Sequence, residues 1–341
     1  MTSEGRHRRG KRAVRVEDVA RVAGVSPITV SRALSYPDKV KEETRQRILA
    51  AVAETGYVVN HFASSLRSGR STIVTVFVSN LSNPHFATSI QGIVDAFEAT
   101  PYHLMFAQIG YSENTEIKVV NAALPFRPAG VIFTGVVRAA STRAAVGKLD
   151  IPIVEMWGHR DDPIDMLVGF SNADGGRLMG RHFGQRGFRR IVYSGHTVER
   201  GAERIAGFRA GLAETGADLA YIHPMEGTRG IIDGMRAFDD ILAAMPDCDA
   251  IFFGTDILGI GALLRARERN VAVPGQVAIA GFGGLDFTAH LNPSLTTLNI
   301  EGYDMGLNAG RMMLARLRGQ PVERPVFDYP ITLLERQSTA R

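Results

Sequence analysis

The sequence predicts an α/β protein in two parts: a small N-terminal head of three helices, then a larger body of parallel sheets arranged as two lobes. Three observations predict it. Residues 16–55 hold short amphipathic helical patterns split by a glycine turn. From Ile73 onward, apolar β-branched runs alternate with helical stretches. Positive charge is concentrated at the N-terminal end.

The head comes first. Val16, Val19, Ala20 and Ala23 recur at spacings of three and four, so they line one helical face. Gly24 permits a sharp turn. Ser26-Pro27 then opens a second helix, because serine accepts from exposed N–H groups and proline wastes no donor at the first position. Val30 and Leu34 give it an inward face. A third helix is expected from Glu42 to Thr55, with Ile48, Leu49 and Val52 inward and Gly56 as its stop. Two helices across a tight turn, braced by a third, form a helix-turn-helix. Between Asn60 and Ser71 apolar density falls, leaving Phe62, Ala63 and Leu66 as one turn of helical pattern in a linker.

The body follows. Strands are expected at 73–78, 130–135, 151–156, 190–195, 250–255 and 277–282. Helices are expected at 84–98, 113–124, 174–185, 203–214, 258–268 and 303–317. Continuous apolar strands between helices imply parallel sheets covered on both faces. Their number exceeds one ordinary sheet, hence two lobes. Ligands in such folds bind beyond the carboxyl ends of strands, here in the cleft between lobes.

Composition narrows the function. Of 39 Lys/Arg and 35 Asp/Glu, residues 1–70 hold 14 and 7, leaving 25 and 28 in the remainder. A basic head on a near-neutral body points to nucleic acid. The run Arg6-His7-Arg8-Arg9-Gly10-Lys11-Arg12 reads as a disordered arm, 1–14, that attracts phosphates. Cys248, the single cysteine, stands between Asp247 and Asp249 and reads as an inert thiol. No apolar run reaches the roughly 18 residues of a membrane span, and the basic start lacks a signal-peptide core. A cytoplasmic protein is expected. No dinucleotide fingerprint, P-loop, nucleophile elbow or HExxH zinc motif occurs, and the nine histidines lack metal-ligand spacing. Neither an enzyme, a metal site nor a cofactor is expected. The acidic group Asp161, Asp162 and Asp165 reads as a solvated loop.

At 16–60, in DVA…AGVS…TVSRAL and GYVVN, the chain closely resembles the lactose-repressor family of bacterial regulators. The likeness returns at RIAGF (204–208), VPGQVAIAGF (273–282) and LTTL (295–298). It looks closest to the gluconate-operon repressor branch through 79–87, AQIGYS (107–112), Ile153-Val154-Glu155 and VGFSN (168–172). The resemblance implies a homodimer of periplasmic-binding-protein-like sensors, each with a helix-turn-helix domain (15–59), a hinge helix (60–71) and an effector-binding, dimerising body (72–341). A stand-alone solute-binding protein shares that body but would lack the head. The partners implied are a two-fold symmetric operator, a small effector and a second copy of the chain.

Carried over by residue, base-reading contacts fall on Pro27, Ile28 and Arg32. Arg32 suits a bidentate pair with guanine, and Ile28 an apolar contact with a thymine methyl. Thr29 and Ser31 suit phosphate oxygens. In NHFASSLRSGRS, Leu66 matches the leucine that wedges into the minor groove. Ala63 matches the small residue against its dimer mate, Arg67 a phosphate partner, and Asn60 joins the DNA contacts. Arg15 stands where the family usually has a capping threonine. In the sensor, Arg204 matches the effector-gripping arginine, with Arg200 nearby. Thr255 and Asp256 fall at another effector position. Ser79, Asn83, His85 and Asn172 are candidate neutral donors, Phe86 closes the loop opening the first lobe, and Trp157 is a candidate wall.

Many relatives that bind neutral sugars or nucleobases carry an Asp where this chain has Gly283, and the nearest acid here is Asp286. The expected effector is therefore a sugar acid such as gluconate, with a neutral sugar as the alternative if Asp286, Asp256 or Glu155 keeps the site acidic.

Overall fold

The computed structural model describes residues 14–35, 37–57, 71–226 and 230–340. The chain divides into two units, Met1–Ser71 and Thr72–Arg341.

In the first unit, α1 (Val16–Ala23), α2 (Pro27–Ser35) and α3 (Glu42–Thr55) enclose Val19, Ala20, Ala23, Val30, Ala33, Ile48 and Ala51. Gly24, at φ 64°, makes the left-handed turn between α1 and α2, a conformation only glycine adopts freely. The Ser26 hydroxyl accepts from the Thr29 N–H at 3.2 Å and starts α2. At the start of α1 the roles are reversed: the Asp18 carboxylate accepts from the Arg15 N–H at 3.0 Å, so Arg15 caps nothing with its own side chain. Leu49 is not inward. It is 45% exposed, because Ile48 and Ala51 already fill the core-facing side of α3.

The second unit holds two parallel sheets. The first has the order β11-β5-β4-β3-β1-β2, using β1 (Ile73–Val78), β2 (His103–Gln108), β3 (Gly130–Phe133), β4 (Ile153–Met156), β5 (Met166–Gly169) and β11 (Val326–Asp328). The second has the order β7-β6-β8-β9, from β6 (Ile191–Gly195), β7 (Leu219–Pro224), β8 (Ala250–Phe253) and β9 (Ala278–Ala280). A short antiparallel pair joins β10 (Thr297–Asn299) to β12 (Thr332–Leu334). Central strands are buried on both faces, which is why β1 and β8 read as continuous apolar runs. The chain leaves the first sheet after β5, completes the second, and returns to the first with β11.

Helices pack in close pairs through reciprocal glycines. On α7 (Asn172–Gln185), a Cβ at Gly176 would fall 2.1 Å from the Arg204 carbonyl oxygen. On α8 (Arg200–Ala213), a Cβ at Gly207 would fall 1.8 Å from that of Ala173. The pairs α4 (Pro84–Phe97) with α11 (Gly302–Leu317), and α9 (Ile231–Ala244) with α10 (Asp256–Glu268), repeat the scheme through Gly92 and Gly306, and Gly234 and Gly261. Glycine there lets backbones approach more closely than any side chain would allow. The remaining helices, α5 (Glu113–Ala123) and α6 (Ala140–Val146), cover the other face of the first sheet. Cys248 is buried, and burial pushes its thiol up to about 12, consistent with an inert group.

Candidate effector cleft and DNA-reading surface

A cleft of about 810 Å³, counting its open mouth, lies between the two sheets. One wall comes from the first sheet and its connections: Asn83, His85, Phe86, Tyr111, Trp157 and Phe170. The other comes from the second: Gly195, His196, Glu199, Arg200, Arg204, Gly254, Thr255 and Phe282, with Asn172 at the crossover. Its size and largely aromatic lining suit a small ligand.

Local structure sets each side chain. The Asn83 carboxamide accepts from the His85 N–H at 3.1 Å and, with Pro84 next, starts α4, so His85 and Phe86 sit in its first turn. The Ser171 hydroxyl accepts from the Asp174 N–H, which starts α7 at Asn172, two residues earlier than the sequence pattern suggests. Helix α8 likewise begins at Arg200, so Arg200 and Arg204, four residues apart, share one face. Trp157 (φ 62°) and Glu199 (φ 48°) hold left-handed backbone conformations that non-glycine residues seldom adopt. Such strain concentrates at ligand sites.

Arg204 is the electrostatic centre. Its guanidinium lies 3.6 Å from the Phe282 ring centroid and donates to the Gly254 carbonyl at 2.5 Å and the Asn172 Oδ1 at 2.6 Å. Burial lowers its pKa. Among the described residues no carboxylate ion-pairs with it, and its Nε has no hydrogen-bond partner. Three more buried polar atoms on cleft residues are equally unpartnered: His85 Nε2, Asn172 Nδ2 and Thr255 Oγ1. Arg200 reaches over Phe86 and Tyr111, its carbon 5.7 and 5.9 Å from their centroids. Burial, then the charges of Arg200 and Arg204, keep His196 below the ordinary histidine range. The Trp157 indole N–H donates to Ser89 at 3.1 Å, which fixes the aromatic wall.

Of the eleven effector candidates, eight line the cleft: Asn83, His85, Phe86, Trp157, Asn172, Arg200, Arg204 and Thr255. Three do not. Ser79 lines an adjoining pocket of about 540 Å³ that shares Tyr111, Glu199 and Arg200, and its hydroxyl turns to the Thr134 carbonyl. Asp256 is wholly buried as a staple, accepting from the Leu285 N–H at 2.8 Å and the Thr297 hydroxyl at 2.5 Å. Asp286 is exposed and bonded to the adjacent Phe287 N–H. Glu155 is committed elsewhere too, accepting from the Val137 and Ile164 N–H groups. None of these three acids supplies a carboxylate to the cleft.

Sequence reasoning missed Tyr111, Phe170, His196, Glu199 and Phe282. AQIGYS, VGFSN and VAIAGF carried three of them, Tyr111, Phe170 and Phe282, as motif residues without marking them as wall. The acidic loop also differs from its reading. Asp161 and Asp162 are solvated and pair with His159 and Arg160, at 3.5 and 2.7 Å, whereas Asp165 accepts from the Ile153 N–H and pairs with Arg316.

On the head, Pro27, Ile28 and Arg32 are exposed on α2, and Ile28 is 71% exposed. An apolar residue so open to water at the start of a helix fits a contact surface. Thr29 and Ser31 are half-buried, and the Thr29 hydroxyl lies 2.8 Å from that of Ser26. Asn60, Ala63, Leu66, Arg67 and the rest of the expected hinge helix lie outside the described residues, as does the arm to residue 13. No helix among the described residues is long and apolar enough to cross a membrane.

Residues 15–60 match the model of bacterial regulatory proteins of the lacI family, and 181–339 the periplasmic binding protein-like domain. Over 328 residues the chain is 33% identical to the HTH-type transcriptional regulator GntR of Pseudomonas aeruginosa, covering 95% of each. A crystal structure of a lacI-family transcriptional regulator from Silicibacter pomeroyi superposes with a TM-score of 0.88 at 29% identity, covering 96% of this chain and 100% of that one. The transcription regulator GntR from Chromobacterium violaceum gives 0.74 at 32% identity, covering 78% and 99%. The chain belongs to the lacI family of bacterial regulatory proteins, in the branch of its relatives named GntR, and is a DNA-binding transcriptional regulator.

Proposed function

We propose that this regulator is a cytoplasmic, homodimeric repressor, without catalytic activity, whose grip on a two-fold symmetric operator is set by a sugar acid in the cleft, gluconate or a close relative. Pro27, Ile28 and Arg32 read bases, Thr29 and Ser31 position the head on phosphates, and Asn60, Ala63, Leu66 and Arg67 act at the hinge.

One observation carries the effector reading. Arg204 is a buried cation whose hydrogen-bond partners are all neutral: the Gly254 carbonyl, the Asn172 amide and the Tyr193 hydroxyl. A buried charge left without a counter-charge is costly, and a ligand carboxylate relieves that cost through charge-assisted hydrogen bonds. Asp256 and Glu155 are locked and Asp286 is turned away; Glu199 is the one carboxylate among the lining residues, exposed next to Arg200, and the two arginines Arg200 and Arg204 outnumber it. Asn172, Thr255, Asn83 and His85 bond the hydroxyls, while Phe86, Trp157 and Phe282 cover the apolar face of the carbon chain. Arg200 adds a second positive charge at the rim.

Titration calorimetry of the full-length protein with gluconate, related aldonates and their neutral parent sugars tests this. Expected is aldonate binding at least about tenfold tighter than the parent sugar, lost in Arg204→Ala. A tenfold difference is about 1.4 kcal/mol, less than one charge-assisted pair supplies. Selective binding of a neutral sugar, or unchanged aldonate affinity in Arg204→Ala, overturns the reading.

A further inference from the structure

His85 lines the cleft, and Gly283 packs directly against its imidazole. His85 belongs to the first turn of α4, which serves the first sheet, and Gly283 follows β9 of the second. A Cβ built on Gly283 would fall 1.8 Å from the His85 Cε1, 2.2 Å from Nε2 and 2.5 Å from Nδ1. The imidazole therefore occupies the space into which any side chain at 283 would project. Gly283 also has φ +134°, a conformation that side chains resist.

The surroundings of the ring fix its state. Asp256 Oδ2 lies 3.9 Å from Nε2, beyond hydrogen-bond reach, and Trp157 packs with its ring centroid 6.4 Å away. Nε2 is buried without a partner. Burial, followed by the Arg204 charge, lowers the imidazole to about 3, so at neutral pH it carries no charge. A neutral imidazole offers one donor and one acceptor, which suits a hydroxyl and gives no ion pair to a carboxylate.

We infer that the His85–Gly283 pair determines effector specificity: the imidazole, seated in the notch that glycine leaves, reads a ligand hydroxyl and keeps an acidic side chain out of that end of the cleft. The ligand is thereby oriented, carboxylate toward Arg204 and polyol toward His85. This rests on the sugar-acid reading above. It adds that selectivity comes from two residues acting as a steric unit, one from each lobe, so that changing either alone is expected to spoil recognition.

Two measurements on the full-length protein test it. Histidine NMR titration examines the seat without any ligand. The His85 resonance is expected not to titrate above about pH 4.5 in the wild type, and to titrate in roughly the ordinary histidine range, near 6.5, in Gly283→Ala, where the new methyl displaces the ring. Calorimetry with gluconate and glucose examines recognition. His85→Ala is expected to weaken gluconate about tenfold, as for one lost hydrogen bond. The double variant His85→Ala/Gly283→Asp, with room for the carboxylate, is expected to shift preference toward glucose by at least about tenfold.

An ordinary His85 titration in the wild type, no change in Gly283→Ala, or a His85→Ala protein binding gluconate like the wild type would each overturn the inference. If the wild type itself binds no sugar acid or sugar, the sugar-acid reading fails and takes this inference with it. If the wild type binds gluconate and His85→Ala does so equally, only the inference fails.

Discussion

The guanidinium of Arg204 rests on the ring of Phe282, 3.6 Å from its centroid, so the cation of the cleft is held by an aromatic face and by neutral hydrogen-bond partners, Gly254, Asn172 and Tyr193. Phe282→Leu keeps an apolar side chain there but removes the π-face. It is expected to cost roughly 1–3 kcal/mol of stability, combining lost volume with a lost cation–π contact. Aldonate affinity should fall by less than in Arg204→Ala, because the charge remains. Denaturant unfolding and calorimetry check both, and an affinity loss exceeding that of Arg204→Ala would contradict the supporting role of Phe282.

Gly207 lies three residues beyond Arg204 on α8, where a Cβ would strike the Ala173 carbonyl. Gly207→Ala must push α7 and α8 apart. The expected destabilisation is about 2–4 kcal/mol, together with weakened aldonate binding, because Asn172 and Arg204 bond across that helix pair. Gly216→Ala, at a turn on the same lobe, controls for a general loss of stability. Equal aldonate affinity in Gly207→Ala and the wild type would show that the helix spacing does not position the arginine.

Much of this arrangement was legible in the sequence, and the gaps have physical causes. The central strands announced themselves because both their faces are buried. The edge strands β2 and β7 did not: each turns one side to solvent, so His103 and Gln108 bound a short run in HLMFAQ, and His223 and Pro224 close LAYIHP. Strand β5 is buried and as long as β3, β4 and β8, so length does not explain why it went unread; β11 and β12 are three residues each and partly exposed. Helix starts lie two or three residues earlier than expected at α7, α8 and α10: Asn172 looks like a loop residue until the Ser171 cap is known, and α8 starts after Glu199 with no side-chain cap to mark it. Arg204 was readable through RIAGF. The commitment of Asp256 to Leu285 and Thr297 was not, because nothing local records a contact made 29 and 41 residues away.

Two buried groups 3.9 Å apart give opposite pH dependences. His85 is lowered to about 3, so as pH falls below the ordinary 6.5 the unfolded chain takes up a proton that the native state refuses, and stability is lost toward pH 3. Asp256 is raised to about 6, chiefly by burial, so it keeps its proton longer in the native state. Its contribution is present at low pH and lost as pH rises from about 4 through 6. His85→Gln should therefore lose less stability than the wild type between pH 6.5 and 4.5, by about 1.4 kcal/mol per pH unit at most. Parallel melting curves for the two proteins across that window would contradict a seated, neutral His85.

On the head, Arg32→Ala should relax preference at one base pair per half-site, costing roughly 1–3 kcal/mol, while Thr29→Ala weakens all DNA nearly equally. Binding selected and random duplexes at one salt concentration separates them. Equal losses on both duplexes for both variants would remove the division between reading and positioning.

The central claim is that occupancy of the Arg204 cleft changes the grip on DNA. Fluorescence anisotropy with a duplex selected by the protein from random sequence, titrated with and without saturating gluconate at fixed salt, tests it most directly. Linkage requires that the two ligands change each other's affinity by the same factor. The account predicts a change of at least about tenfold in DNA affinity for the wild type, in either direction, and none for Arg204→Ala, whose DNA binding without effector stays close to the wild type. Identical DNA affinity of the wild type with and without bound gluconate would contradict it.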